Sequence, residues 1–402
     1  MTHDEIISMS DQYLMSTYAR FPVVAMSGNG ACLKDADGNE YIDMGSGIGV
    51  NALGYCDPDW QAAVSTQAGK MTHCSNYFYN EPAAKLAKKI VESTGLNKVF
   101  FGNSGAEANE GAIKLARKYS CDKYGDGRST VITLTNSFHG RTITTLTATG
   151  QDVFHQYFDP FTGGFRYAKT GDMESLLSTC DETVCAIIIE GVQGEGGVIE
   201  IPDSYIKEIY ELCQERDWLL IFDEIQTGVG RTGKPYSYMY FDIKPDIVTL
   251  AKALGGGLPI GAFVCGEKCK DTFGPSHHGS TFGANPIACA GGCVVLDKVL
   301  KDDFLEDVMK KGEHIRKTIM SWNSPFVEAV RGKGLMLGTV LKGVSSKEVA
   351  FRMVEKGILP LTAGPSVLRF LPPLNISLCE IDSALSKLKE ALEELKNEKA
   401  PA

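Results

Sequence analysis

The chain is expected to be an α/β protein built on a largely parallel sheet, a reading that rests on two observations. Short runs of β-branched and aromatic residues alternate with amphipathic stretches through its middle, the pattern of strands covered by helices. At 402 residues it also exceeds what one core usually serves, so two domains are expected. In chain order the candidate strands are Lys98 to Phe101, Thr130 to Leu134, Cys185 to Glu190, Leu219 to Asp223, Asp246 to Leu250 and Gly261 to Cys265. Apolar residues at helical spacing mark Pro82 to Ser93, Ala106 to Tyr119, Ser204 to Arg216 and Pro286 to Leu300. After about residue 300 charged helices dominate with fewer strands, including Ser345 to Lys356 and Ile381 to Lys396, and a domain boundary is placed there. Ile381, Leu385, Leu388, Leu392 and Leu395 resemble a coiled-coil seam, but two heptads are too few and packing on a small domain is expected. The last four residues, Lys399 to Ala402, look frayed.

Composition narrows the function. A formal net charge of −10 with scattered Lys and Arg offers no basic stripe for nucleic acid or an anionic membrane. The segment Met1 to Glu5 lacks the start of a signal peptide, and no window approaches the roughly 18 apolar residues of a membrane span, so a cytoplasmic enzyme acting on small molecules is expected. Twelve cysteines without Cys-x-x-Cys spacing, several within apolar runs (Cys185, Cys213, Cys289), read as reduced core residues. Seven histidines without ligand spacing argue against a metal site.

Lys252 ends an apolar run and precedes three glycines, while Leu219 to Phe222 delivers Asp223 to a neighbouring strand end. An amine and an acid so placed suit pyridoxal 5′-phosphate, which needs an amine to condense with its aldehyde and a carboxylate to keep its ring nitrogen protonated. A surface lysine and a helix-capping aspartate are the ordinary alternative. In Asn103 to Glu110 a strand feeds a turn that opens a helix, a phosphate site in which Ser104, Gly105 and Ala106 would hold the anion; a plain helix cap would look the same. Phe138, in the segment after the Thr130 to Leu134 strand, could stack on the ring, and Arg141 could clamp a carboxylate. Core packing and a surface ion pair are the competing readings. Glu190 to Gly197 ends a strand in a glycine-rich loop with a free acid, and Ser280 and Thr281 offer hydroxyls to a phosphate. Gly228, Gly230 and Gly233 match a dinucleotide fingerprint formally, but Lys234 and Pro235 follow where a helix should run.

Seven segments in order, Asn103 to Glu110, Ser137 to Thr142, Glu190 to Gly197, Phe222 to Gly228, the Lys252 run, Ser280 to Gly283 and Leu368 to Pro373, resemble the class III aminotransferases among the fold type I pyridoxal-phosphate enzymes. Within that family the acetylornithine branch is the nearest in pattern. The resemblance implies residues 1–45 and 301–402 forming a small domain, 46–300 a large cofactor-binding domain, and a homodimer with shared active sites. It makes Lys252 the Schiff-base lysine and proton shuttle, Asp223 the partner of the ring nitrogen, and Gln226 a donor to the ring hydroxyl. Gly105 and Ala106 would bind the phosphate with Thr281 of the neighbouring subunit, Phe138 would cover the ring, and Ser280 would touch substrate or phosphate. Arg141 would hold a distal carboxylate, Arg369 the α-carboxylate of 2-oxoglutarate, and Glu195 would mask Arg369 in the first half-reaction. The implied reaction moves the δ-amine of N2-acetylornithine to 2-oxoglutarate. Ornithine, 4-aminobutyrate or succinylornithine as donor, an aminomutase and a nicotinamide-dependent dehydrogenase are the alternatives. Gly54 to Pro58 departs from the family's usual Gly-His-x-His-Pro, and Ala106 stands where a threonine is common.

Overall fold

The computed structural model describes residues 1–398; the frayed end expected at Lys399 to Ala402 lies outside them. Its centre is a seven-stranded sheet in the order Lys98–Gly102, Gly261–Cys265, Ile247–Leu250, Leu219–Asp223, Val184–Glu190, Thr130–Leu134 and Phe165–Ala168. Gly261–Cys265 runs antiparallel to both neighbours, and the remaining pairs are parallel. The expected α/β class is what forms. Phe165–Ala168 escapes the sequence reading because it is a half-exposed edge strand whose Arg166 and Tyr167 interrupt any apolar run.

Helices cover both faces, so the inner strands bury both sides and read as continuous apolar runs. Period-two alternation still sorts them. Leu219 and Ile221, with Ala186 and Ile188 beside them, pack in one cluster with Ala112, Ile113 and Ala116 of the Gly105–Tyr124 helix. Leu220 and Phe222 pack in the other. Parity therefore turns Asp223, and Glu190 opposite it in register, toward the face that the Gly105–Tyr124 helix covers.

Near the chain start, Ala25–Asn29, Cys32–Asp35 and Glu40–Asp43 form a sheet completed by Ile358–Leu359, which aligns Ile358 with Ile42. Val327–Lys333, Met336–Leu341, Val367–Phe370 and Leu361–Thr362 form a further antiparallel sheet. The region beyond residue 300 thus holds more strand than its charge pattern announces. Glu328, Arg331 and Lys333 interrupt the apolar pattern of one strand, and two others are only two residues long. The Leu378–Glu398 helix buries Ile381, Leu385, Leu388, Leu392 and Leu395 and packs on the Ser346–Glu355 and Asp302–Ser321 helices. Its seam is used within the chain. In the Gly54 to Pro58 departure, Asp57 caps the Pro58–Lys70 helix, accepting from the N–H groups of Asp59 and Trp60, and pairs with Lys298.

Close backbone approach ties the sheet to the turn before the Gly105–Tyr124 helix. A Cβ on Gly261 would lie 2.1 Å from the Ser104 carbonyl oxygen, so Gly261→Ala is expected to destabilise by about 1–3 kcal/mol through forced backbone shifts. Gly69, exposed in the Pro58–Lys70 helix, would meet nothing within 4 Å, and Gly69→Ala should stabilise by about 0.4–1 kcal/mol. Urea-unfolding midpoints moving in opposite directions check the pair.

Candidate active site

The C-terminal ends of the parallel strands open into a cavity of about 420 Å³ whose lining includes Ser104, Gly105, Ala106, Phe138, Arg141, Glu190, Asp223, Gln226 and Lys252. Lys252 follows the Ile247–Leu250 strand with φ 42°, a left-handed conformation costly for a side-chain-bearing residue. Gly256 (φ 59°) and Gly257 (φ 122°) then turn the chain away. Burial pushes the Lys252 amine below its ordinary range, and the Arg369 charge adds to this while Glu195, Asp223 and Glu190 oppose it. A lysine kept toward its neutral form is a nucleophile.

Asp223 caps no helix. It is 3% exposed, and its Oδ2 accepts from Asn109 Nδ2 at 2.8 Å and faces His139 Nδ1 at 2.8 Å. Its Oδ1 accepts from the Ile225 N–H at 3.0 Å. Asn109 comes from the Gly105–Tyr124 helix and also donates to the His139 carbonyl at 2.7 Å, so helix and loop are locked to one carboxylate. Asn109 and His139 are residues that sequence reasoning missed as partners. The usable signal is a polar residue among the buried positions of that helix.

At the helix start, Ser104 Oγ accepts from the Glu107 N–H, and Glu107 reaches back to the N–H of Asn103. The N–H groups of Gly105 and Ala106, first in the helix, have no acceptor within it. Ser104 therefore does serve as a cap, and the cap leaves those donors facing the cavity. A Cβ on Gly105 would lie 2.9 Å from Ile225 Cγ2, so the turn tolerates only glycine without rearrangement.

Four charged residues divide the rest of the site. Burial first, then the charge of Asp223, pushes the Glu190 carboxyl well above the usual range; it accepts from the Phe138 N–H at 3.1 Å. Burial acts the same way on Glu195, but Arg369 outweighs it and holds that carboxylate below its ordinary range. Arg369 donates from Nη1 and Nη2 to the two oxygens of Glu195 at 2.6 and 3.1 Å, and Nη1 also reaches Gln226 Oε1 at 3.2 Å. Gln226 Nε2 donates to Glu195 at 3.1 Å. Arg141 is exposed, stacked on Phe154 rather than ion-paired, and Phe138 is half-buried at the cavity wall rather than in a core.

Ser280 and Thr281 are not brought to this cavity. Ser280 Oγ accepts from Asn103 Nδ2 and from the Gly283 N–H, and Thr281 is exposed. The Gly228, Gly230 and Gly233 segment lines no part of it either and forms turns. Among the described residues no group of three or more His, Cys, Asp or Glu could hold a metal ion, and no helix is long and apolar enough to cross a membrane.

The residues fit pyridoxal phosphate. A buried carboxylate with only neutral donors or an imidazole for partners calls for a cationic ring nitrogen. Free N–H groups at a helix start call for a phosphate, and an amine shares the cavity with both. A family model described as aminotransferase class-III matches residues 13–392. An acetylornithine aminotransferase of Haemophilus ducreyi is 50% identical, covering 98% of this chain and 100% of its own. The N-acetylornithine aminotransferase of Stenotrophomonas maltophilia superposes with a TM-score of 0.84 at 37% identity, over 98% of this chain and 100% of that one. An ornithine aminotransferase from Toxoplasma gondii, described with partial occupancy of pyridoxal phosphate at its active site, superposes at 0.94 with 33% identity, over 99% and 95%. With a family match over nearly its whole length and a full-length relative of that likeness, the chain belongs to the class III aminotransferases and is a pyridoxal-phosphate-dependent enzyme of amino-group transfer.

Proposed function

We infer that the chain transfers the δ-amine of N2-acetylornithine to 2-oxoglutarate, giving N-acetylglutamate semialdehyde and glutamate, a step of arginine biosynthesis carried out in the cytoplasm. The observation that carries the donor is the full-length likeness to the Haemophilus enzyme named for it. Ornithine is the second reading, favoured by the closer superposition on the Toxoplasma enzyme. The test is a panel of N2-acetylornithine, ornithine, succinylornithine and 4-aminobutyrate with 2-oxoglutarate, scored for glutamate; a better donor than N2-acetylornithine overturns the assignment.

Bound pyridoxal phosphate supplies an aldehyde that takes up the amine and a ring that accepts the electron pair when the adjacent C–H bond breaks. Asp223 would keep a proton on the ring nitrogen, and Gly105, Ala106 and Ser104 would hold the phosphate at the helix start. Phe138 would cover the ring, and Gln226 would donate to its hydroxyl. Lys252 Nζ would hold the cofactor's aldehyde between turnovers and would move the proton at the substrate carbon. Arg141 seats the distal carboxylate of donor and acceptor. Glu195 occupies Arg369 while the donor is bound and yields it to the α-carboxylate of 2-oxoglutarate.

Residues 1–45 and 301–402 are assigned to a small domain and 46–300 to the large one, with two chains sharing each site in a homodimer. Support for sharing comes from one surface. Asn76 Nδ2 donates to the carbonyls of Ser280 and Gly283, which sets the exposed Tyr77, Phe78 and Tyr79 next to the exposed Thr281 and Phe282. Thr281 then serves the neighbour's phosphate, and Ser280 lies against substrate or phosphate there.

Lys252→Ala should abolish turnover, and borohydride should no longer fix the cofactor to the chain, as read by intact-protein mass spectrometry. Asp223→Asn should slow the chemical step by on the order of 100-fold or more, and a rate within about threefold of wild type would sink that role. Arg141→Ala should weaken donor and acceptor alike by roughly 2–5 kcal/mol. Arg369→Ala should damage the acceptor half-reaction more, as single-turnover rates of each half will show. If sites are shared, cofactor binding and dimerisation are linked: dilution without cofactor should yield monomer sooner in sizing runs than dilution with it, and a monomer that transaminates normally would contradict sharing.

A further inference from the structure

Two arginines serve the site and are held by opposite means. Arg369 is neutralised by a bidentate carboxylate. The Arg141 guanidinium carbon instead lies 3.9 Å from the Phe154 ring centroid and 5.5 Å from that of Phe138. The two rings meet edge to face, their centroids 6.0 Å apart at 80°. Among the described residues Arg141 makes no ion pair. A guanidinium stacked on a ring face keeps its in-plane N–H donors free, whereas a carboxylate would consume them.

Phe154 is half-buried, and its turn is fastened to the loop that carries Phe138 and Arg141. It closes the short Asp152–Phe154 helical turn, with its N–H donating to the Gln151 carbonyl at 3.0 Å. Gln151 Nε2 donates to the Ser137 carbonyl at 3.0 Å, Gly150 N–H to Ser137 Oγ at 3.0 Å, and Asn136 N–H to the Gly150 carbonyl at 2.7 Å. On the other side His155 Nε2 lies 3.0 Å from the Leu146 carbonyl.

We propose that Phe154 is a positioning residue for Arg141: its ring carries the guanidinium flat at the cavity mouth and keeps a carboxylate seat open in both half-reactions. The proposal rests on the assignment of Arg141 to the distal carboxylate. An aromatic support suits a seat that every substrate uses, because it fixes the plane of the cation without competing for it. A carboxylate support suits Arg369, which must be withdrawn while the donor is bound.

The test is a double-mutant cycle on the holoenzyme. Phe154→Leu should raise KM for both N2-acetylornithine and 2-oxoglutarate roughly three- to fivefold with kcat little changed, the loss expected of an exposed cation–π contact. The dissociation constant of glutarate, measured by calorimetry, should rise by a similar factor. Phe154→Tyr, which keeps the ring, should restore wild-type KM values. In an Arg141→Ala background Phe154→Leu should add less than about a twofold further loss, because the residue acts through the missing guanidinium. Full additivity of the two losses, or unchanged KM in Phe154→Leu beside a damaged Arg141→Ala, would overturn the proposal and leave the Arg141 assignment standing. Unchanged KM in Arg141→Ala itself would overturn both.

Discussion

A buried carboxylate has to be held by donors and faced by positive charge, and Asp223 imposes both conditions on the cavity. Asn109, His139 and the Ile225 N–H meet the first, drawing a helix, a loop and the strand end onto one pair of oxygens. The second is left to a ligand. Glu190 lies on the same face because it stands opposite Asp223 in register, and two carboxylates so close cannot both ionise cheaply in a buried place. The shift of Glu190 well above its ordinary range follows. Of the two acids, Asp223 is the one that helix, loop and strand end hold, and on the proposed assignment it would face the ring nitrogen of the cofactor.

The same cavity sets the state of Lys252. Its neighbours Asp223, Glu190 and Glu195 favour the charged amine, yet burial and the Arg369 charge prevail and lower its range. The Glu195 and Arg369 pair therefore acts beyond its own geometry. On the proposed roles, a substrate carboxylate that displaced Glu195 from Arg369 would take over the compensation of its charge. Substrate exchange in the acceptor half can proceed without leaving a naked guanidinium in a low-dielectric site.

What could be read in the sequence was what lies at the strand ends. Lys252, Asp223, Phe138 and the Ser104 to Ala106 turn each follow an apolar run, and a sheet that gathers its C-terminal ends puts them together whatever the detailed packing. Contacts made across elements were less legible. Asn109 looks like any polar helical residue until parity turns Asp223 toward that helix. Phe154 lies in a three-residue turn with no periodicity to mark it, and only the fold brings its ring to within 3.9 Å of the Arg141 guanidinium carbon. The Phe165–Ala168 edge and the strands beyond residue 300 were lost for a related reason, since half-exposed strands carry charges that mask the apolar signal.

Arg369 shows how far such long-range contacts reach, because it comes from a strand remote in sequence from every other member of the site. Its strand is paired to Met336–Leu341, and both are tied to the large sheet's loops by Arg231, a fully buried guanidinium. Arg231 donates to the carbonyls of Leu335 and Pro372, which bracket those two strands, while its own carbonyl accepts from the Leu335 N–H. Burial, opposed by Asp43, pushes that guanidinium down to about 9, still high enough to keep it charged at neutral pH. Carrying an unpaired charge inside the protein is expensive, and hydrogen bonds to two carbonyls offset only part of the expense. The strut is therefore poor as a stabiliser and sensible as a locator: Arg231 follows Gln226 by five residues and Pro372 follows Arg369 by three, so one buried side chain ties together the segments that carry the two groups bound to Glu195.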